Sequence, residues 1–488
     1  MTILILLFIL TISSVFSRSA QEWQSRTIYQ IITDRFAKGD GNKPSCDLNS
    51  QPNYCGGDFF GIINNLDYIQ GMGFNAIWIS PIPQNVEHAF HGYAAQDLSK
   101  INSHYGGEQG LKKLIESCHK KDIWVMVDVV ANHMGNTDLD FSKNIPFNLP
   151  EHYHEYCLIS DNDFATKNMK NIQNCRLSGL ADLNTENPFV ANYLFQWIKN
   201  LIQTYNIDGI RIDTVPEVSP KFWKQYTESA GVFAVGEVFD PSYSYVGGYV
   251  SSVGSVLNYP WYFTVKDIFL YQKDMLGIRD HYQNWQRQNI DVSILAQFID
   301  NHDNPRFLSY SHLDQNSLKT LLKAYTTLTL TTIGVPIMYY GTEQYFVGGA
   351  DPYDREPLWN NFHTSSEMYK YIQTVLSAKY KALSFNKVQF TNFRRIHLNS
   401  NIQTESYADQ EIYAFFRGKM WVSVTNKFYQ VTKIITTHPF QNGDVICNVF
   451  WPKDDCITVQ NKSFQVYLNN GEAKIYLLKS QIVDIQEN

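Results

Sequence analysis

At 488 residues, 44% of them hydrophobic and 18% charged, the chain is long enough for two or three domains and apolar enough to bury a large core. Its formal net charge is -7 and no Lys/Arg block interrupts it, which argues against nucleic acid or an anionic membrane surface as a partner. Aromatic residues make up 15%; their faces fill cores and also stack on sugar rings.

Met1 to Ser14 is nearly all Leu, Ile and Phe, too short to span a bilayer, and Val15-Phe16-Ser17 places a small residue for cleavage. Residues 1–17 therefore read as a secretory signal peptide, with an uncleaved anchor as the alternative. No later stretch reads as transmembrane. The mature chain is expected outside the cell or in the lumen of a secretory or digestive compartment, away from membranes and, by default, as a monomer. Seven cysteines fit an oxidising compartment. Cys46 with Cys55, Cys157 with Cys175 and Cys447 with Cys456 would each close a short loop. Cys118 is left over in the helical stretch Leu111 to Lys120 and reads as a buried thiol. Asn461-Lys462-Ser463 is a glycosylation sequon.

From about Ile28 to Tyr380 short β-rich runs alternate with helical patterns. The runs include Ala76 to Ser80, Trp124 to Val130, Gly209 to Asp213, Val232 to Glu237, Leu295 to Asp300 and Pro336 to Gly341. Helix-like segments such as Gly61 to Met72, Gly107 to Lys121 and Val190 to Tyr205 lie between them. Continuous apolar strands separated by helices predict βα units on a buried parallel sheet, and the length suits an α/β chain closed as a (β/α)8 TIM barrel. From about Asn132 to Asp182 the rhythm stops. A stretch this long is functional or a small domain of its own. After Leu383 short alternating runs predict an all-β domain. The expected division is a barrel over 18–131 and 183–383, an inserted loop-rich domain B over 132–182, and a C-terminal β-sandwich over 384–488.

Acidic residues fall at the ends of the strand-like runs: Asp128, Asp213, Glu237 and Asp303. In a barrel the strand C-termini converge on the face that carries active sites, so these carboxylates are expected in one cleft. A lone acid at a strand end is more often a helix cap. Several in sequence order suit glycoside cleavage, where one carboxylic acid protonates the leaving oxygen and a second carboxylate, about 5 Å away, attacks the sugar. A metal-dependent barrel hydrolase or a sugar isomerase could show similar acids. Arg211, two residues before Asp213, shares its side of a strand and is expected to hold it ionised.

At these residues the sequence resembles the secreted α-amylases of glycoside hydrolase family 13, most like the fungal type. The resemblance lies in Tyr29 to Phe36, Gly71 to Ile79, His91-Gly92-Tyr93, Asp128 to His133, Gly209 to Asp213, Gly236-Glu237-Val238 and Phe298 to Pro305. It covers about Trp23 to Leu383. It implies retaining endo-hydrolysis of α-1,4-glucosidic bonds in starch- or glycogen-type glucan. Asp213 is then the nucleophile, Glu237 the general acid and base, and Asp303 the third carboxylate. His91, Tyr93, His133, Arg211, His302, Asp351 and Arg355 are implied substrate contacts. A structural Ca²⁺ is implied at Asn132, Gln173, Asp182 and the carbonyl of Glu217. Three departures from the fungal pattern stand out: Gln173 for a glutamate, Ala94 for an aromatic, and Pro216-Glu217 for a Lys-His pair on the leaving-group side. They predict altered metal affinity and altered binding of the leaving glucan. A related α-glucosidase or transglycosidase would share the acids, and a silent glucan-binding relative would lack them.

Overall fold

The computed structural model describes residues 18–49, 53–383 and 402–482. The expected signal peptide and the 383/384 boundary lie wholly or partly outside these residues.

Eight parallel strands form one sheet: β1 Ile28–Ile31, β2 Ala76–Ile79, β3 Trp124–Val129, β4 Gly209–Ile212, β5 Phe233–Gly236, β6 Ser255–Val256, β7 Ala296–Gln297 and β8 Val335–Tyr339. Their spatial order is β6-β5-β4-β3-β2-β1-β8-β7. The ring closes where Leu257, just past β6, bridges Ala296 of β7, and the Asn258 N–H donates to the Ala296 carbonyl at 2.8 Å. The predicted barrel is therefore formed.

Strand side chains alternate between two faces, and this alternation builds the site. Ile28, Ala76, Trp78, Trp124, Met126, Phe233 and Val235 pack together inside the barrel. Ile31, Ile77, Ile79, Val125, Val127, Ile210 and Ile212 face the surrounding helices. Counting two residues on from the inner set reaches Asp128 after Met126, Arg211 and Asp213 after Gly209, and Glu237 after Val235. The polar residues thus continue the inward face at the C-terminal mouth of the barrel.

Between β3 and β4 the chain leaves the barrel. His133–Met134 pairs antiparallel with Ala181–Asp182 and draws the two ends of the excursion together. Inside it lie only short helices, Asp161–Thr166 and Met169–Ile172 among them. The C-terminal strands are β9 Thr404–Ala408, β10 Ile412–Arg417, β11 Met420–Thr425, β12 Val431–Ile435, β13 Val445–Asn448, β14 Cys456–Thr458, β15 Phe464–Leu468 and β16 Ala473–Leu478. A six-stranded sheet, β9-β10-β11-β16-β13-β14, and the pair β12-β15 share a core of Trp421, Ile435, Phe464, Val466 and Tyr476. The three expected disulfides are formed, and Cys118 is a buried thiol whose ionisation burial opposes.

Candidate active site

A cleft of about 810 Å³ opens at the barrel mouth. Asp213 and Glu237, each one residue past its strand, form its floor, and Asp303 stands on its exposed wall. The Arg211 guanidinium organises the floor. Its Nη1 donates to Asp213 Oδ1 at 2.6 Å and to both oxygens of Asp128 at 3.0 Å; its Nη2 lies 2.8 Å from Glu237 Oε2. Thr214, at φ 47°, turns its N–H onto Glu237 Oε2 at 3.3 Å, and the Tyr259 hydroxyl donates to Glu237 Oε1 at 3.3 Å.

One fixed positive charge against three buried carboxyl groups leaves a surplus of negative charge unless the cluster holds protons. Burial pushes Asp213 well above the usual carboxylate range; Arg211 opposes the rise, and Glu237 and Asp128 add to it. Burial likewise brings Asp128 up to about 6 against Arg211. One expectation needs correction: Arg211 is fully buried and does not line the cleft, so it meets carboxylates and not the cleft surface. Its charge is shared among three acids and opposes the effect of burial at Asp213. Asp128 too lies beneath the cleft with no exposed surface.

A second network fixes the aromatic wall. Gln30 Nε2 lies 2.7 Å from His302 Nδ1, and with the amide as donor the His302 Nε2–H is left to donate to the Tyr93 hydroxyl at 2.7 Å. That hydroxyl donates to Asp128 Oδ2 at 2.7 Å. Tyr93 stacks on His302 with ring centres 5.2 Å apart, and on His91 at 5.8 Å. His133 donates from Nε2 to the Tyr93 carbonyl at 2.9 Å, because a carbonyl only accepts. Burial holds His91 at about 3, His133 at about 4 and His302 well below its ordinary value, so all three are neutral at working pH.

Asp303 sits farther from its strand than the sequence predicts. β7 ends at Gln297, and the polar run beyond it turns through Asn301 Oδ1, which accepts from the Asp303 N–H at 3.1 Å and from Asn304 Nδ2 at 2.7 Å. Arg355 ties this wall together, donating to the His302 carbonyl at 2.9 Å and to Asp303 Oδ1 at 3.4 Å, and pairing with Asp351 at 3.2 Å. Apart from Arg211, the predicted catalytic residues and substrate contacts all line one cleft.

The predicted metal residues lie where the excursion meets the barrel. The Asn132 amide nitrogen lies 3.3 Å from His133 Nδ1, which His133's bond to Tyr93 makes the acceptor. Asp182 Oδ2 is taken by His154 at 2.6 Å. Among the described residues, Asn132 Oδ1 and Asp182 Oδ1 are buried and accept no hydrogen bond. The half-buried Gln173 ends the helix Met169–Ile172, which packs on the turn Val215–Glu217. Among the described residues no three His, Cys, Asp or Glu side chains converge as a metal cluster, so a cation here would depend on amide and backbone oxygens. The Glu217 side chain lines the cleft, raised to about 8 by burial and by Glu237 and Asp182.

Residues 30–428 match the family described as alpha amylase, catalytic domain. The chain belongs to the alpha-amylase family. It is 39% identical over 398 residues to an alpha-amylase 1 of Lipomyces kononenkoae, covering 78% of this chain and 62% of that protein. It is 33% identical over 494 residues to an alpha-amylase of Saccharomycopsis fibuligera, covering 96% and 94%. Among solved structures, an alpha-amylase from Malbranchea cinnamomea superposes with a TM-score of 0.85 at 32% identity, covering 95% and 98%. The chain thus spans about three fifths of the Lipomyces relative's length and nearly all of the other two.

Sequence reasoning missed Trp78, which donates to Asp128 at 3.1 Å, and also Gln30, Thr214 and Tyr259. Trp78 and Gln30 could have been found by counting inward-facing strand positions. Tyr259, in the first turn of a helix, carries no such signal.

Proposed function

We propose that the chain is a retaining, endo-acting α-glucan hydrolase, an α-amylase in activity. The observation that carries this reading is that Asp213 and Glu237 meet neighbouring nitrogens of one guanidinium, at 2.6 and 2.8 Å, which draws the two carboxyl groups together as a retaining pair requires. Glu237 protonates the glycosidic oxygen as its bond to C1 breaks, and the Asp213 carboxylate attacks C1 to form a glycosyl ester. Glu237, now a carboxylate, takes a proton from the water that attacks C1 and frees Asp213. Asp303, with Arg355 beside it, binds hydroxyls of the distorted sugar. The neutral His91, His133 and His302 surround that sugar, Tyr93 offers it a face, and Asp351 and Arg355 hold the next unit. Lining residues on both sides of the floor favour internal cleavage.

Ca²⁺ fits as a structural ion. Asn132 Oδ1, Asp182 Oδ1, the Gln173 side-chain carbonyl and the Glu217 backbone carbonyl would hold it, and it would supply a clamp between excursion and barrel. The buried oxygens without hydrogen bonds support this. Three disulfides and the apolar N-terminal run support secretion, and the exposure of Asn461 in a turn supports its sequon as a glycosylation site. No described helix is long and apolar enough to cross a membrane. The division into barrel, domain B over 132–182 and C-terminal sandwich is kept as part of this proposal.

Digestion of soluble starch with sizing of products tests the reading. Short oligosaccharides with a rapid loss of iodine staining are expected; glucose released only from chain ends would favour an α-glucosidase. Glu237→Gln should lose about 10²–10⁴-fold in kcat, and undiminished hydrolysis would refute the mechanism. A chelator should lower the Tm and slow digestion together.

A further inference from the structure

The cleft has a direction. Asp303, Arg355 and Asp351 are joined by ion pairs at one end. Phe239 and Asp240, two and three residues past Glu237, line the cleft on Glu237's side together with Pro216, and Asp240 and Tyr245 hold Lys167 of the excursion there. An acid that protonates the glycosidic oxygen stands beside the departing portion of the glucan, so the leaving group occupies Glu237's end. Pro216 supplies no side-chain donor there.

Lys167 is built into that end. Its helix, Asp161–Thr166, begins at Ser160, whose hydroxyl and backbone pair reciprocally with Asp163. Asp163 Oδ1 also accepts from Asn168 at 2.8 Å and Asn171 at 2.9 Å, which stiffens the turn that follows. Lys167 ends the helix at φ 55°, its N–H donating to the Phe164 carbonyl at 3.3 Å. The half-buried side chain ion-pairs with Asp240, and Nζ lies 4.2 Å from the centre of the Tyr245 ring. An ammonium carries three donors and one carboxylate oxygen engages one of them. The remaining donors sit on a side chain that lines the cleft beside the exposed ring of Phe239.

We propose that Lys167 is a leaving-group-binding and specificity-determining residue: Nζ, positioned by Asp240 and Tyr245, donates to hydroxyls of the glucose units just past the cleaved bond. Phe239 and Tyr245 supply the apolar faces against which those units lie. The excursion, rather than the barrel turn at Pro216, thereby provides the cationic donor of this end. This rests on the hydrolytic activity proposed above. The competing role is a strap that only joins excursion to barrel.

The test compares two substrates on one enzyme preparation, maltoheptaose and 2-chloro-4-nitrophenyl α-maltotrioside, whose leaving group is a single hydroxyl-free ring. In Lys167→Ala and in Lys167→Met, which keeps the stem on Tyr245, the ratio of kcat/KM for maltoheptaose to that for the aryl glycoside should fall about tenfold. Loss of folded enzyme cancels in this ratio. A ratio within about twofold of the unsubstituted protein's would overturn the proposal and leave Lys167 a strap. An unsubstituted protein that cleaves neither substrate would count against the activity itself. Calorimetric titration of maltoheptaose into Glu237→Gln, with and without Lys167→Met, then reads the same contact without turnover: weaker binding by a similar factor upholds it, and equal binding overturns it.

Discussion

Arg211 serves three carboxyl groups with one charge, and its planar fork is what lets it do so. Two adjacent nitrogens reach Asp213 and Glu237 while one of them also grips Asp128. A lysine in its place is a compact point charge on a shorter stem, without the planar fork that spans the three acids. Arg211→Lys should lower kcat/KM by about a hundredfold. Drawing the charge back from the three acids weakens its opposition to burial and leaves Asp213 and Asp128 still higher, so the acid limb of the pH–rate profile should move to higher pH, read on the aryl maltotrioside. An acid limb that stays in place or moves down would contradict this account. Arg211 and Asp213 were legible in the sequence because strand alternation puts residues two apart on one face. The Gln30–His302–Tyr93–Asp128 chain was not, because its members come from different βα units and its order depends on which ring nitrogen carries the proton.

The excursion between β3 and β4 is held by contacts near its neck. The Gly135 N–H donates to the Ala95 carbonyl at 2.7 Å, and a Cβ at Gly135 would meet the Ala94 carbonyl oxygen at 2.4 Å. The close approach requires glycine, and the backbone atom it meets belongs to a residue of the cleft wall. Gly135→Ala should destabilise the protein by about 1–3 kcal/mol, seen as a lower urea midpoint, and should raise KM because Ala94 must shift. An unchanged midpoint and KM would show that the neck yields freely. The excursion was foreseen as a break in the βα rhythm and through its cysteine pair. Its internal helices were not: they run four to six residues and begin on caps such as Ser160, too short for a hydrophobic period to show.

Across the whole molecule, two sets of buried titratable groups oppose one another. His281 is held at about 3 by burial, against an ordinary 6.5. The unfolded chain takes up that proton first, so its contribution is full above 6.5 and is lost as pH falls toward 3. Asp34 and Asp300 are raised to about 6, and Asp354 to about 8, by burial first. Their contribution is full below the ordinary 3.8 and is lost as pH rises through those values. Between about pH 4 and 6 the three aspartates outweigh the one histidine, so the Tm should be highest near pH 4 and fall on either side, with Asp354 alone carrying the decline beyond pH 6.5. Asp354→Asn should flatten the decline between pH 6.5 and 8; a decline as steep as the parent's would assign it elsewhere. The barrel as a whole was legible because apolar strands and amphipathic helices alternate over more than three hundred residues. β6, two residues long, escaped because so short a run has no period to read, and the run Leu295 to Asp300 narrowed to the two residues of β7.

Those two short strands leave the circle of the barrel with a thin last link, and that link passes through Asn258. Its backbone N–H joins the ring at Ala296, its side chain opens the helix Tyr259–Leu270 and accepts from the Trp285 indole, and its neighbour Tyr259 reaches Glu237. Closing the barrel and positioning the acid are in consequence one structural event: whatever slackens the seam also moves the phenol beside Glu237, so catalytic competence depends on ring closure.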